Sequence, residues 1–472
     1  MWSNIANSHL LNKSFSKDNI KTLPIKLLIA LLSTIVSFIV FLYSFEHYSD
    51  RFLFLLPLSY AFLIILFPAM WKYSKNNIGM IILNAVIFIR YVISPLFRSL
   101  TINEPAIRGI LPSSQGIHYG ILILIIELFV AFFVIQMFAH KFYKDKTIKK
   151  FKPIESKLVL IIFLFIGFSI FSLFPQLLGR YNFFLASGPF SDINLDIPFA
   201  GLLIIITDLI LIIIAIIIIN HFKIKYDKSP KFRYVIFSLL AILPVITIFK
   251  GTSRFSVVIP TIAFLVILIK LYPMYKKRII LSIALLAIIV FIVFTFSLDE
   301  QRSGETNYSL NHLAHTLDAY MSGPNNMGRV VDLQNNYGVF LTTETLKNDT
   351  FNNIALLSSL SDSSNTTTAW FNYMFYNHRL YTDQIVPLSG QSYIHFGVIG
   401  TPLLLAITLI LMMFFDSKIR YENRIEFTYL YVTAVCNTSM AMMVSFGSIY
   451  PFFINIFIPI MLIFYMNRKI RL

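Results

Sequence analysis

The sequence is poor in charge and in cysteine. Only 13% of its 472 residues are Asp, Glu, Lys or Arg, whereas about a quarter are charged in an average soluble protein. A lone cysteine, Cys436, excludes an intrachain disulfide. Walker, dinucleotide-binding, GxSxG and HExxH motifs are also missing. These absences argue against a soluble protein, nucleotide-driven transport and the familiar hydrolases.

Long apolar runs dominate the remaining sequence. Hydrophobic residues make up 57% of the chain, and one helix needs about 20 of them to cross a bilayer core. The runs do not alternate as the strands of a membrane barrel do. We therefore predict an all-α polytopic membrane protein with about 12 transmembrane helices. The predicted spans are 24–45, 52–71, 78–97, 118–139, 158–176, 198–219, 234–249, 255–271, 279–298, 396–415, 427–447 and 451–467.

Lysine marks the cytoplasmic side of these spans. The formal net charge of +16 comes largely from lysines in short loops, where the positive-inside rule expects them. The charge is therefore no sign of nucleic-acid binding, and it predicts that both termini are cytoplasmic. The predicted order is a cytoplasmic segment 1–23, transmembrane helices 1–9 within 24–298, a large extracytoplasmic loop 299–395, transmembrane helices 10–12 within 396–467 and a cytoplasmic tail 468–472.

Arginine departs from the distribution of lysine. On this topology 22 of 24 lysines face the cytoplasm, but nine of fifteen arginines lie outside or in the outer half of a span. The guanidinium fork binds phosphate or carboxylate bidentately and stays charged when desolvated. As a set these arginines predict an anion site, although each one alone could pair with an outer carboxylate. They are Arg51, Arg90, Arg98, Arg108, Arg180, Arg254, Arg302, Arg329 and Arg379.

The tightest polar motif is the turn Gly251-Thr252-Ser253-Arg254, which Lys250 precedes. Glycine permits a sharp turn, and the amides that open the next helix can bind an anion. A polar turn between antiparallel helices would explain the glycine and serine equally well. It would not explain two cations at a membrane boundary, where charge is costly.

Ionisable residues within the predicted spans are few. Arg90 lies in the third span, and Glu127 in the fourth lies at a similar predicted depth. The two are expected to form a buried structural pair or to line a wet cavity. Asp208 in the sixth span is either a packing group or a lining residue.

The loop 299–395 concentrates residues that suit proton transfer. His378, Asp383 and His395 are candidates for a base that removes a proton from a sugar hydroxyl. Aromatic residues from Trp370 to Tyr376 offer flat faces for sugar rings, or they pack the loop's own core. Three further residues, His312, His315 and Asp318, have helical spacing but no evident fourth ligand, and we predict no metal.

The chain resembles the bacterial oligosaccharide repeat-unit polymerases, which include O-antigen and enterobacterial common antigen polymerases. The resemblance rests on the turn Gly251-Thr252-Ser253-Arg254, on the large outer loop, and on the F-G-x-x-G pattern Phe396-Gly397-Val398-Ile399-Gly400. Such proteins often carry an acidic residue shortly before that pattern. Residues 390–395 contain none here, and His395 or Asp383 are the candidate replacements.

The resemblance implies a C-type glycosyltransferase-like fold in the bacterial cytoplasmic membrane. Its activity would be the metal- and cofactor-free transfer of a growing glycan from undecaprenyl diphosphate to the next lipid-linked repeat unit. Candidate protein partners are a chain-length regulator and a flippase. A lipid-linked oligosaccharide flippase and a glycan–lipid ligase are the rival functions. The residues expected to bind the substrate pyrophosphates are Arg254, Lys250, Arg180, Arg302, Arg329, Arg379 and Arg90.

We expect the substitution Arg254→Lys to impair glycan polymerisation. A lysine supplies a point charge and cannot reproduce the bidentate geometry of the guanidinium on a phosphate. Gel analysis of surface glycan measures the effect as polymer length and yield. A strain carrying Arg254→Lys with wild-type polymer length and rate would refute the role.

Overall fold

The computed structural model describes residues 24–104, 109–144, 151–154, 156–183, 199–250, 255–286, 309–377 and 384–470. It describes the backbone alone at 180–183, 249–250 and 255–256. Within these residues the fold is helical, apart from one antiparallel pair of three-residue strands, β1 Tyr181–Phe183 and β2 Ile248–Lys250.

The helices of the first part of the chain precede residue 287. They are α1 Pro24–Ser44, α2 Leu55–Leu66, α3 Ala69–Ser74, α4 Ile78–Phe88, α5 Ser94–Leu100, α6 Ser114–Phe142, α7 Leu158–Leu173, α8 Ala200–Lys228, α9 Phe232–Leu240, α10 Leu243–Thr247, α11 Phe255–Leu271 and α12 Pro273–Leu286. A π-helical stretch, Ile89–Ile93, joins α4 to α5.

The helices of the second part follow residue 308. They are α13 Leu310–Met321, α14 Pro324–Tyr337, α15 Thr343–Phe351, α16 Thr367–Tyr376, α17 Leu388–Gly400, α18 Leu403–Tyr421, α19 Ile425–Ser439, α20 Phe446–Pro451 and α21 Ile458–Lys469. A second π-helical stretch, Phe452–Phe457, joins α20 to α21.

The described helices are those of a membrane protein, but they do not confirm twelve spans. Five are long and apolar enough to cross a bilayer, or up to seven if each of two sharply bent helix pairs counts as one span. Three further apolar helices are shorter, at Leu55–Leu66, Leu158–Leu173 and Phe232–Thr247. Prolines stand at several of the interruptions, including Pro68 and Pro175, because proline lacks the N–H that continues a helix.

A buried ion pair lies where the π-helical stretch interrupts the third predicted span. Nη2 of Arg90 is 2.9 Å from Oε2 of Glu127, Nη1 is 3.1 Å from Oε1, and both side chains are fully buried. Arg90 also donates to the carbonyl oxygen of Ser322 at 3.0 Å and to that of Met442. The hydroxyl of Tyr91 donates to Glu127 at 3.0 Å. The predicted Arg90–Glu127 contact is therefore confirmed.

The segment before the tenth predicted span is helical and packs on the spans. Helix α14 lies against α6, and their backbones meet at glycines. A Cβ atom added to Gly120 would lie 2.8 Å from the nitrogen of Gly328, so a larger residue would push the two helices apart. Asp332 of α14 accepts two 2.6 Å hydrogen bonds from Ser113, which caps α6. Which side of the membrane this segment occupies stays a prediction.

The chain bends sharply at the F-G-x-x-G pattern. Helices α17 and α18 meet at 109°, as in a broken span or a re-entrant loop. Gly397 has φ of +69°, a conformation that side-chain-bearing residues rarely adopt. Helix α17 is held at its other end, where the Leu388 amide donates to Val444 and the Phe446 amide donates to Gln391.

We expect Glu127→Leu to lower the free energy of unfolding by about 3–5 kcal/mol, because it leaves the buried Arg90 charge unpaired. The measurement is thermal unfolding of the purified protein in detergent. The double substitution Arg90→Met with Glu127→Leu should recover part of the loss.

The matched control is Asp227→Asn, which breaks the partly exposed pair between Lys223 and Asp227. An exposed pair of this kind contributes about 1 kcal/mol or less. Equal losses in Glu127→Leu and Asp227→Asn would contradict the structural role of the buried pair.

Candidate functional site

One of the three predicted base candidates, His395, lies in a described part of α17 and contacts a carboxylate. Its Nε2 is 3.0 Å from Oδ2 of Asp349, and the two side chains are only 5% and 4% exposed. Asp349 comes from α15, 46 residues earlier in the chain. Burial strengthens such a contact because little water competes for either group.

Asp349 is held by further donors. Its Oδ1 accepts the Thr367 amide at 2.8 Å, and its Oδ2 accepts the Thr367 hydroxyl. The side-chain amide of Gln391 lies 3.5 Å from the same Oδ2. With Nε2 of His395 donating to this carboxylate, the neutral imidazole carries its lone pair on Nδ1. That arrangement orients a base, as the carboxylate does in a His–Asp pair.

Local capping positions the parts of this site. Thr366 caps α16 by accepting the Ala369 amide, so Thr367 begins that helix with its amide directed at Asp349. The neighbouring Asn348 donates to the Asn365 carbonyl at 3.1 Å and accepts the Asp362 amide at 3.1 Å. The connection between α15 and α16 is thereby tied to the last turns of α15.

A second polar cluster surrounds Arg329 on α14. Its Nε donates to the carbonyl of Ile110 and its Nη1 to Asn326, each at 2.9 Å. Its guanidinium lies 4.2 Å from the centre of the Phe375 ring. Burial lowers the pKa of Arg329 to about 10, against the attraction of Asp318, so the side chain still carries its charge at neutral pH.

Asp318 and His315 of α13 share this cluster. Burial raises the pKa of Asp318, although the positive charges of Arg98 and Arg329 oppose the shift. Burial, followed by the same two arginines, lowers the pKa of His315 to about 4. Arg98 is itself paired with Asp50, at 3.3 Å between Nε and Oδ1. Two of the arginines that are predicted to lie outward, Arg98 and Arg329, therefore act on one buried carboxyl group.

The two clusters are joined through packing of α14 on α17. A Cβ atom on Gly390 would lie 2.9 Å from a methyl group of Val330, which is the residue next to Arg329. Because Gly390 lies on the same helix as His395, the arginine cluster and the His395–Asp349 pair belong to one packed unit.

The other predicted site residues divide into three groups. Strand pairing sets Tyr181 opposite Lys250, which brings the backbones of Arg180 and Lys250 together. Arg90 is bound inside the protein through both Nη atoms, and its predicted diphosphate role stays a prediction. The predicted residues that lie outside the described part of the chain are Arg254, Arg302, Arg379, His378 and Asp383.

Sequence reasoning missed Asp349. The one signal was that no carboxylate precedes the F-G-x-x-G pattern in sequence, which suggests that another part of the chain supplies it. The sequence does not show which part, and Asp349 is 46 residues away from His395. Among the described residues, no three His, Cys, Asp or Glu side chains are grouped so as to hold a metal ion. This includes His312, His315 and Asp318, whose helical spacing had suggested a weak candidate.

Comparisons with models of protein families, with curated proteins and with solved structures found no match to this chain. The resemblance to oligosaccharide polymerases therefore stays a prediction from its motifs.

We expect His315→Gln to reduce the loss of stability in acid. The pKa of His315 is about 4 in the folded protein, compared with an ordinary value of 6.5. Between pH 6.5 and 4, His315 therefore binds a proton in the unfolded chain but not in the folded chain. Protonation thus lowers the free energy of unfolding as pH falls through this window. The raised pKa of Asp318 acts in the opposite direction, since its protonated form favours the folded state.

Thermal unfolding in detergent between pH 4 and pH 7 tests this expectation. The difference in unfolding temperature between His315→Gln and wild type should grow in favour of the variant as pH falls. A difference that does not change with pH would contradict the assignment.

Proposed function

We propose that this protein polymerises lipid-linked oligosaccharide repeat units at the outer face of the bacterial cytoplasmic membrane. It would transfer the growing glycan from undecaprenyl diphosphate to the next lipid-linked unit. The observation that carries the proposal is the His395–Asp349 pair, which lies immediately before the bend at Gly397. Asp349 brings a carboxylate into contact with His395, next to the pattern before which the resembling polymerases often have an acidic residue in sequence, and this supports the proposal.

In the proposed reaction Nδ1 of His395 takes the proton of the acceptor hydroxyl. The acceptor oxygen forms a bond to the anomeric carbon of the donor glycan, and the bond from that carbon to the diphosphate oxygen breaks. The electron pair leaves with the lipid diphosphate. Asp349 holds the imidazole in position for this transfer, as the carboxylate does in a His–Asp pair.

The leaving diphosphate needs positive charge, which preorganised cations supply best in a site that excludes water. Arg329 fits this role in charge and in rigidity, because its hydrogen bonds and the Phe375 ring fix its direction. Arg180 and Lys250, whose backbones lie close to each other, are proposed to add to this charge. Arg254, Arg302 and Arg379 complete the proposed set from their sequence positions.

A flippase for the same lipid-linked oligosaccharide is the second candidate. The Arg90–Glu127 pair favours it, since ionised groups within a span often mark a transport pathway. The pair is fully buried and bound to two backbone carbonyls, which suits a structural role better. A glycan–lipid ligase would use the same base and leaving group with a different acceptor.

Deletion of the gene, followed by gel analysis of surface glycan, distinguishes these functions. Loss of a polymerase should leave single repeat units on the surface lipid. Loss of a flippase should leave lipid-linked units facing the cytoplasm with none exported. Unchanged polymer in the deletion strain would exclude all of these roles.

We expect complementation with His395→Gln or Asp349→Asn to leave single units, because removing a general base costs about 10²–10⁴-fold in rate. The matched control is Glu344→Gln, which neutralises an exposed carboxylate on the same helix as Asp349 and should restore the full polymer ladder. Protein levels and unfolding temperatures of the variants must match wild type. A full polymer ladder in the strain that carries His395→Gln would refute the catalytic role of His395.

A further inference from the structure

A groove of about 760 Å³ lies between α6 and the segment that joins α1 to α2. It is separate from the residues placed around His395 and Arg329. Its α6 wall is one stripe of side chains at spacings of three and four, which therefore share a helix face. Along the helix these are Ser114, Gln115, His118, Tyr119, Ile121, Leu122 and Ile125.

The groove changes in polarity along α6. The first residues of α6 present Ser114, Gln115 and His118 to the groove, and the residues further along the helix present Ile121, Leu122 and Ile125. At about 1.5 Å per residue the stripe from Ser114 to Ile125 is about 16 Å long. That is about half the thickness of a bilayer core. The groove therefore has about the length of one leaflet, and like a leaflet it changes from polar at one end to apolar at the other.

The opposite wall of the groove is aromatic, and a cation that is not itself a lining residue contacts its rings. Tyr48, Phe52 and Leu55 line it, and the guanidinium of Arg51 lies 4.9 Å from the ring centre of Tyr48 and 4.6 Å from that of Phe52. Nε of Arg51 is buried and has no hydrogen-bond partner among the described residues. A ring nitrogen of His118 bonds the Tyr48 carbonyl at 2.7 Å, which fixes the polar end of the groove.

We propose that this groove binds the isoprenoid chain of a lipid-linked substrate, with its phosphate group near Arg51, which contacts two lining rings. The inference rests on the proposed function and adds the place where the lipid is held. A cation beside the polar end can attract an anionic head group, and an apolar stripe about half a bilayer core in length matches a hydrocarbon chain.

The site also lies next to the arginine cluster. Asp50, the neighbour of Arg51, pairs with Arg98, whose charge acts on Asp318 and Arg329. At the start of α6, Ser113 bonds Asp332 of α14, the helix that carries Arg329. A lipid held in the groove thus has its head group on the side of the protein where the proposed reaction takes place.

The test is native mass spectrometry of the purified full-length protein with undecaprenyl phosphate as the probe. We expect Leu122→Trp, which fills the groove from a half-exposed position, to weaken binding about tenfold or more. Arg51→Gln should weaken it about fivefold. The control is Met137→Trp, which places the same ring at an exposed position of α6 outside the groove and should bind as wild type.

Phosphatidylglycerol serves as the competing probe. If it displaces undecaprenyl phosphate at equal concentration, the groove holds an ordinary membrane lipid and the proposed occupant is wrong. Wild-type probe binding by both Leu122→Trp and Arg51→Gln would overturn the site itself. If Leu122→Trp fails to fold, Ile125→Phe replaces it as the filling variant.

The same variants separate this inference from the proposed function. Selective, groove-dependent probe binding, together with a deletion strain that still makes full polymer, would refute the polymerase and leave the lipid site standing. A full polymer ladder and undiminished binding in the groove variants would refute the lipid site and leave the polymerase standing.

Discussion

The structure depends on the burial of one ion pair, Arg90–Glu127, among membrane-spanning helices. A charge in that position is tolerated only when its hydrogen-bonding groups are satisfied within the protein. The two Nη atoms of Arg90 have partners in Glu127 of α6, Ser322 at the α13–α14 junction and Met442 in the break between α19 and α20, whereas its Nε has none among the described residues. Each of those backbone carbonyls is available because a helix ends there. One side chain therefore holds together three interruptions that would otherwise leave polar groups unsatisfied.

The same interruptions position the candidate site. The break that supplies Met442 to Arg90 also binds α17, through Val444 to Leu388 and through Phe446 to Gln391. Gln391 in turn reaches Asp349, and α17 carries His395. On the other side, Ser322 leads into α14, whose Val330 packs on Gly390. Helix breaks in a membrane protein need polar partners, and here those partners lie in the elements that bring His395 and Asp349 together.

Local sequence signals predicted the contact between Arg90 and Glu127, which depends on the depth of the two residues in the membrane. Arg90 and Glu127 could be paired from sequence because adjacent spans place residues of equal depth side by side, and a lone charge in lipid is costly. The described helices do not confirm twelve spans, because hydropathy detects apolar runs but not their interruption and because most of the predicted span 279–298 lies outside the described residues. The helix pair α17–α18 is apolar across a bend of 109°. Asp349 was missed for a related reason, since no periodicity relates α15 to α17.

Composition and charge distribution by themselves determined that the chain is a helical membrane protein, because lipid leaves few other ways to satisfy a backbone in apolar runs. The F-G-x-x-G pattern contains the bend, at Gly397, whose positive φ is one that glycine adopts readily. Only the tertiary structure decided that Asp349 contacts His395, that Arg98 and Arg329 act on the same Asp318, and that α6 borders a groove. These depend on the packing of helices distant in sequence, which local propensity does not encode.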